Sequence, residues 1–281
     1  MKQLGCSTVL YGGFDLDKAL AGIAKAEYQA IELCARPRIA PHLEINRSAS
    51  YYADIKRKIN DYGLVIESIS GTGGVAVDCP EFEGVVQAAQ LMDVSIITIS
   101  AGGKSNSEES FKRFIDRINC GSEYVASSGI RLSIKPRVGK AVCSVDTAKR
   151  FMDAVDQDQV GLNFDPTHIW RSQSSADPVK AISDLKSVIN TVRIRDNRES
   201  RQMQVGPIET QIPGKGALDL QAIADTVKMM PQISYAVLEI IGMHDKTKIK
   251  FDEIQRIVEE SIAYLKPMFF EYVATPMTTI V

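Results

Sequence analysis

Charged side chains stand at or near the ends of several apolar segments of this sequence, where a hydrophobic core would hold none. Lys135 ends the segment RLSIK, and Arg137 follows two residues later. Arg193 and Arg195 have the same spacing in VRIRD, and Glu239 lies near the end of YAVLEI. If these segments are strands, residues i and i+2 share a face. Because burying an unpaired charge is costly, the grouping indicates a functional site; salt bridges that only close the top of the fold are the alternative.

Four further residues complete the candidate set. Asp165 ends VGLNFD, His168 and Trp170 follow it closely, and Glu32 lies in QAIELC. Carboxylates, an imidazole and an ammonium are groups that proteins use to move protons to and from a substrate. Guanidinium forks match the shape of carboxylate and phosphate. The set is therefore typical of acid–base chemistry on a small anionic molecule.

Apolar runs of strand length alternate along the chain with longer segments of helical periodicity. The predicted strands cover 4–10, 29–34, 64–70, 94–100, 131–136, 160–165, 191–196 and 235–240. The predicted helices cover 16–27, 49–61, 81–92, 107–127, 145–155, 177–188, 219–229 and 252–265. Eight strand–helix units predict an α/β fold, a (β/α)8 TIM barrel in one domain over 1–281, with a doubly wound open sheet as the alternative. In such a barrel the active site lies at the C-terminal ends of the strands.

The composition favours a soluble protein that acts on small molecules. The net charge of -2 gives no bias toward nucleic acid or an anionic membrane. No apolar run approaches the roughly 20 residues needed to span a bilayer, and residues 1–9 are too short and polar for a signal peptide. The five cysteines are widely spaced and form no CxxC pair, which indicates reduced thiols. We therefore expect a cytoplasmic protein with no nucleic-acid or membrane partner, either a monomer or a homo-oligomer.

Other local features carry less information. The GTGG segment (71–74) could cradle an anion but is more typical of a tight turn, because no lysine-containing P-loop pattern follows it. His42 and His244 lie in predicted loops, where solvated histidines are common. The chain after Pro267 is apolar and is expected to pack against the last helix.

The segment VGLNFDPTHIW (160–170), followed by DPVKAI (177–182), resembles strand six of the xylose-isomerase-like TIM-barrel superfamily, which contains the sugar phosphate isomerases and epimerases. PGKGALD (213–219) resembles the loop after strand seven. The resemblance implies a divalent metal held by a Glu ending strand five, an Asp ending strand six, a His ending strand seven and a Glu ending strand eight. Asp165 and Glu239 match two of these ligands, and His168 matches a histidine that contacts substrate.

The other two ligand positions hold cations, Lys135 in place of the Glu and Arg193 in place of the His. Charged lysine and arginine do not ligate metals, and two carboxylates alone make a poor transition-metal site. We therefore expect no metal or other cofactor, with Lys135 within hydrogen-bonding reach of Asp165 or Glu239. A weakly bound Mn2+ or Mg2+ at Asp165 and Glu239 is the alternative.

The resemblance and the cations together predict a metal-independent sugar or sugar-acid isomerase or epimerase. Glu239 is the expected base, Lys135 or His168 the acid, and Asp165 part of the catalytic group. Arg193, Arg137 and Arg195 are expected to hold the substrate's anionic group beside Glu32, and Trp170 either shapes the pocket wall or packs under the strand-six loop. A dehydratase or lyase, a Schiff-base enzyme using Lys135, and a non-catalytic ligand-binding or partner subunit are the alternatives.

Overall fold

The computed structural model describes residues 2–172, 175–200, 203–243, 245 and 248–269. Eight parallel strands form the sheet, and each pairs with the next strand along the chain. The first strand also pairs with the last, so the sheet closes into a barrel. The predicted (β/α)8 barrel is confirmed, and the open sheet is excluded. The strands are β1 Gln3–Ser7, β2 Ala30–Arg36, β3 Val65–Ser70, β4 Ile96–Ser100, β5 Arg131–Lys135, β6 Val160–Phe164, β7 Ile189–Ile194 and β8 Tyr235–Leu238.

Helices surround the barrel and alternate with its strands. They are α1 Leu16–Lys25, α2 Ala49–Asp61, α3 Glu83–Leu91, α4 Glu108–Val125, α5 Val145–Met152, α6 Pro166–Ser172, α7 Pro178–Leu185, α8 Ile208–Gln211, α9 Leu220–Lys228 and α10 Phe251–Phe269. Six of them begin at a side chain that accepts a hydrogen bond from the first turn: Asp15, Ser48, Ser107, Ser144, Asp177 and Asp219. Such caps satisfy N–H groups that a helix start leaves without partners. None of the described helices is long and apolar enough to cross a membrane.

Some local predictions need correction, and two others are not tested. The first strand ends at Ser7, because residues Thr8–Tyr11 form a 3-10 turn whose Val9 N–H donates to the Ser7 hydroxyl. Two short helices, α6 and α8, occupy segments that the periodicity left as loops, because each is too short to show a helical repeat. The apolar chain end after Phe269 lies outside the described residues, as does His244.

The inside of the barrel is polar, whereas branched apolar residues are usual there. Thr98 on β4 donates to Glu32 on β2 at 3.1 Å, and the hydroxyls of Ser133 and Thr191 lie 2.7 Å apart between β5 and β7. The buried apolar residues of strands and helices instead form one continuous cluster, which includes Leu4, Leu20, Ile118, Ile182, Ile223 and Ile257. The hydrophobic core and the charged interior are thus two separate layers of the same fold.

Candidate active site

A cavity of about 540 Å³ opens at the C-terminal ends of the strands. Arg36 from the end of β2, Ser100 from β4, Lys135 from β5 and Glu239 after β8 contribute to its lining. The segment 205–211 after β7 supplies one wall. The cavity therefore lies where a barrel of this type places its active site.

Lys135 and Glu239 form a buried ion pair in this cavity. The Lys135 ammonium contacts Oε2 of Glu239, and the two side chains are 5% and 4% exposed. The other oxygen, Oε1, lies 3.9 Å from Nη2 of Arg36, which donates to the Ser70 hydroxyl at 2.6 Å. The Glu239 carboxylate thus lies between two cations, and the expected contact between Lys135 and Glu239 is present.

Asp165 belongs to a second cluster beside the first. Arg195 Nη2 donates to its Oδ2 at 2.9 Å, and the Thr167 hydroxyl donates to its Oδ1 at 2.6 Å. Burial acts to raise the pKa of Asp165, but Arg195, with His168 and Lys135, outweighs it and holds that pKa well below the usual range. Arg195 also donates to Gln211 at 3.2 Å. Asp165 is consequently a fixed anion that orients Arg195.

His168 lines the cavity with its charge suppressed. Arg195 Nη2 lies 3.2 Å from its Nε2, and because a guanidinium only donates, Nε2 accepts and the proton sits on Nδ1. Nδ1 is buried and has no hydrogen-bond partner among the described residues. Burial lowers the pKa of His168 well below its ordinary value; Asp165 opposes this shift, and Arg195 and Lys135 add to it. The imidazole is therefore neutral near pH 7 and carries its proton on the buried Nδ1.

The hydrogen bonds of Arg193 lie within the protein. Its guanidinium is fully buried and donates to Glu32 at 2.9 and 3.0 Å, to Glu67 at 3.1 Å and to Ser68 at 2.9 Å. Neither Arg193 nor Glu32 lines the cavity. Both lie below it inside the barrel, so the expectation that they contact substrate is not supported by their position.

The remaining two candidates differ in placement. Arg137 is exposed, lines the cavity, and makes no salt bridge with any residue that the structure describes. Trp170 is half-buried on α6 and does not line the cavity, so the pocket-wall prediction is not supported. Of the nine residues singled out from the sequence, the cavity therefore brings together five: Lys135, Arg137, His168, Arg195 and Glu239.

Sequence reasoning missed Arg36 and Glu67. Arg36 lies on β2, two residues after Cys34 and four residues after Glu32. The same i+2 rule that paired Lys135 with Arg137 would therefore have found it. Glu67 carried no such signal. The pairing of β2 with β3 shifts register between Ile31 and Glu32, opposite Glu67, and a bulge of this kind redirects side chains.

The residues present do not fit the divalent metal that the resemblance implies. Lys135 and Arg193 occupy two of the four ligand positions, and the two remaining carboxylates, Asp165 and Glu239, are engaged in separate ion pairs. Within the described ranges, no group of three or more His, Cys, Asp or Glu side chains is placed to hold a metal ion. Cations take the place where metal ligands would converge.

Residues 20–268 match the sequence profile of the xylose isomerase-like TIM barrel. The chain belongs to this family, and the barrel with its cavity at the strand ends agrees with that assignment. No curated protein sequence matches the chain significantly.

Three solved structures illustrate the similarity in fold. The IolI protein with a bound zinc atom has 15% identity and a TM-score of 0.74, with 96% of this chain and 100% of that chain covered. The probable 3-DHS dehydratase AsbF from Bacillus anthracis has 17% identity and a TM-score of 0.71, with 94% and 98% covered. An L-ribulose 3-epimerase has 15% identity and a TM-score of 0.71, with 96% and 95% covered. At these identities the likeness concerns the fold alone.

Proposed function

We propose that the protein is a metal-independent enzyme that moves a proton next to the carbonyl group of a small anionic polyol. The observation that carries this proposal is the Lys135–Glu239 ion pair, buried yet facing the cavity. A carboxylate and an ammonium held in contact supply a base and a hydrogen-bond donor to one substrate. The reaction class is isomerisation or elimination.

Each step can be assigned to a group of the ion pair. Glu239 removes a proton from the carbon next to the carbonyl, and the electron pair of that C–H bond moves toward the carbonyl oxygen. Lys135 donates a hydrogen bond to this oxygen and stabilises the negative charge that develops on it. In isomerisation, Glu239 returns the proton to the former carbonyl carbon, and the hydroxyl proton of the neighbouring carbon passes to the former carbonyl oxygen. In elimination, Glu239 gives the proton to a departing β-hydroxyl, which leaves as water and gives a dehydrated product. With one base in place, these outcomes fit better than epimerisation between two bases.

The charges around the cavity support an anionic substrate. Four cations line it, namely Arg36, Lys135, Arg137 and Arg195. Three carboxylates lie among them or in contact with them, namely Glu209, Glu239 and Asp165. With His168 neutral, the site keeps a surplus of one positive charge, which a substrate carboxylate or phosphate would neutralise.

Similar folds with known or named activities are consistent with this class of chemistry. The solved structures include epimerases of the ketoses psicose and ribulose and a probable dehydratase. Abstraction of a proton beside a carbonyl begins both kinds of reaction. For this chain we propose that Lys135 stabilises the negative charge that develops on the carbonyl oxygen.

Solvent hydrogen exchange tests the proposal. We expect the protein, treated with a chelator, to exchange a substrate C–H for deuterium in D2O, followed by NMR with 2-keto-D-gluconate, D-fructose 6-phosphate and D-fructose as probes. Glu239→Gln should slow the exchange about 100- to 10,000-fold, because the base is lost. The control Glu109→Gln changes a surface glutamate of α4 that pairs with Arg113.

Two results would contradict the proposal. Exchange that requires added Mn2+ would show that a metal does the work of Lys135. Full exchange by Glu239→Gln would show that another group is the base. Binding of a probe with no exchange by any variant would instead favour the non-catalytic ligand-binding alternative.

A further inference from the structure

The arginines around the cavity differ in what their guanidinium groups contact. Arg193 and Arg195 are buried, and they donate to carboxylates, hydroxyls and other acceptors of the protein itself. Within the described part of the chain, the Arg36 side chain makes one hydrogen bond, to Ser70, and it is 23% exposed in the cavity wall. A guanidinium has five N–H donors in a planar fork. Arg36 therefore keeps donors that can bind a ligand.

Arg36 lies directly beside the proposed base. Its Nη2 is 3.9 Å from Oε1 of Glu239, and Lys135 contacts the other oxygen of the same carboxylate. Two cations and one anion stand in a row, which leaves one positive charge on this part of the site. A single carboxylate of the substrate neutralises it.

The GTGG turn after β3 positions this side chain. Gly71 has a φ of +86°, and a Cβ there would lie 2.9 Å from Cγ of Arg36 and 3.1 Å from the carbonyl oxygen of Ala35. The Gly73 N–H donates to that same Ala35 carbonyl at 2.9 Å. A side chain at 71 would displace the stem of Arg36, so the glycine leaves room for the arginine to reach the cavity.

We infer that Arg36 binds the substrate's carboxylate and selects sugar acids in which that carboxylate is bonded next to the reacting carbons. The inference rests on the proposed function. A charge-assisted hydrogen bond spans about 2.8 Å, so a group held by Arg36 lies close to the carbon from which Glu239 removes its proton. A phosphate at the far end of a ketose is several bonds away and does not reach Arg36 in that pose.

Calorimetric titration of three matched probes tests the inference. D-fructose is the neutral reference, 2-keto-D-gluconate carries a carboxylate on the carbonyl carbon, and D-fructose 6-phosphate carries its anion at the other end. We expect wild type to bind 2-keto-D-gluconate most tightly. Arg36→Gln should weaken that binding by about 30-fold or more, while affinity for D-fructose, the internal check on folding, changes little.

Two further variants separate the possible results. Arg36→Lys keeps the positive charge but loses the planar fork of donors, so it should retain only part of the preference for 2-keto-D-gluconate over the other two probes. If Arg36→Gln does not fold, Arg36→Lys is measured in its place. Arg137→Gln should lower the preference by less than Arg36→Gln does. Tightest binding of D-fructose 6-phosphate by wild type, or loss of the preference only in Arg137→Gln, overturns the inference. Those results leave proton transfer by Glu239 untouched, because deuterium exchange measures it separately.

Discussion

The buried cations of the site pair with different carboxylates. Lys135 contacts Glu239, Arg195 binds Asp165, and Arg193 binds Glu32. A metal requires several carboxylates or imidazoles to converge on one point, whereas here the carboxylates are divided among separate ion pairs. The cations at the two ligand positions therefore do more than remove two ligands, because they also pair with carboxylates of the site.

His168 provides a prediction about pH at the scale of one residue. Its pKa is lowered in the folded protein, whereas in the unfolded chain it is about 6.5. Below pH 6.5 the unfolded chain binds a proton that the folded chain does not, so the free energy of unfolding should fall as pH decreases. The contribution is up to about 1.4 kcal/mol per pH unit.

Urea unfolding of wild type and His168→Gln between pH 6.5 and 5 measures this contribution. The variant should show the shallower dependence, because its glutamine does not titrate. His42 is also buried with a lowered pKa, so it is the matched control. His42→Gln should keep the pH dependence of the free energy of unfolding that His168 causes. Carboxylates with a lowered pKa, such as Asp165 and Glu32, change the free energy of unfolding only at a pH below this range. Coincident curves for wild type and His168→Gln would contradict the prediction.

At the scale of elements, the loop between β7 and α9 is organised by Asp196. Its Oδ1 accepts from the N–H groups of Asn197 and Leu218, and its Oδ2 accepts from Gly214. The same loop carries Gln211, which contacts Arg195 and the backbone after β8. Asp196 thus connects the PGKGALD segment to the strand end that carries the site.

Asp196→Ala should reduce the free energy of unfolding by about 2–3 kcal/mol, because the buried hydrogen bond from Asn197 and the two partly buried ones from Gly214 and Leu218 lose a charged acceptor. The control is Asp219→Ala in the same loop. Asp219 is exposed and caps α9 through the Ala222 N–H, and loss of such a cap costs about 1 kcal/mol. Chemical denaturation of the two variants compares them directly. A smaller loss for Asp196→Ala than for Asp219→Ala would show that the loop does not depend on Asp196.

At the scale of the whole molecule, the barrel encloses charges where most barrels enclose apolar side chains. Arg193 spans the interior from β7 to Glu32 on β2 and Glu67 on β3. Burial acts to raise the pKa of Glu32, but Arg193, Lys135 and Arg36 lower it; burial raises the pKa of Glu67 despite Arg193. The network stabilises the barrel only while all its members are present.

Arg193→Met should therefore destabilise the protein by about 3–5 kcal/mol, because two glutamates remain buried without their partner. Adding Glu32→Gln and Glu67→Gln should restore about 2 kcal/mol or more of the loss, since neighbouring changes in one network are not additive. Equilibrium unfolding in urea measures the stability of wild type, the single variant and the triple variant. Arg113→Met, which removes an exposed pair on α4, is the control and should change stability little. Equal stability of the single and triple variants would mean that the charges are not coupled.

Much of the fold could be predicted because local patterns encode it. Seven of the eight predicted strands lie within two residues of the observed bounds, the first strand ends three residues early, and helix α2 has the bounds expected from its periodicity. The i+2 spacing after β5 and the position near the end of β8 also identified Lys135 and Glu239 as residues of one site. These features depend on neighbours in the chain, so the sequence by itself determined them.

The partners of the buried charges were decided by the tertiary structure alone. Arg193 was expected to hold the substrate's anionic group, yet its guanidinium binds Glu32, which is 161 residues away, and Glu67, which lies at a register shift. Trp170, on the short helix α6, likewise does not line the cavity. A long side chain inside a closed barrel meets whichever strand the stagger and bulges bring opposite it. That geometry exists only once all eight strands have closed, so no local pattern records it.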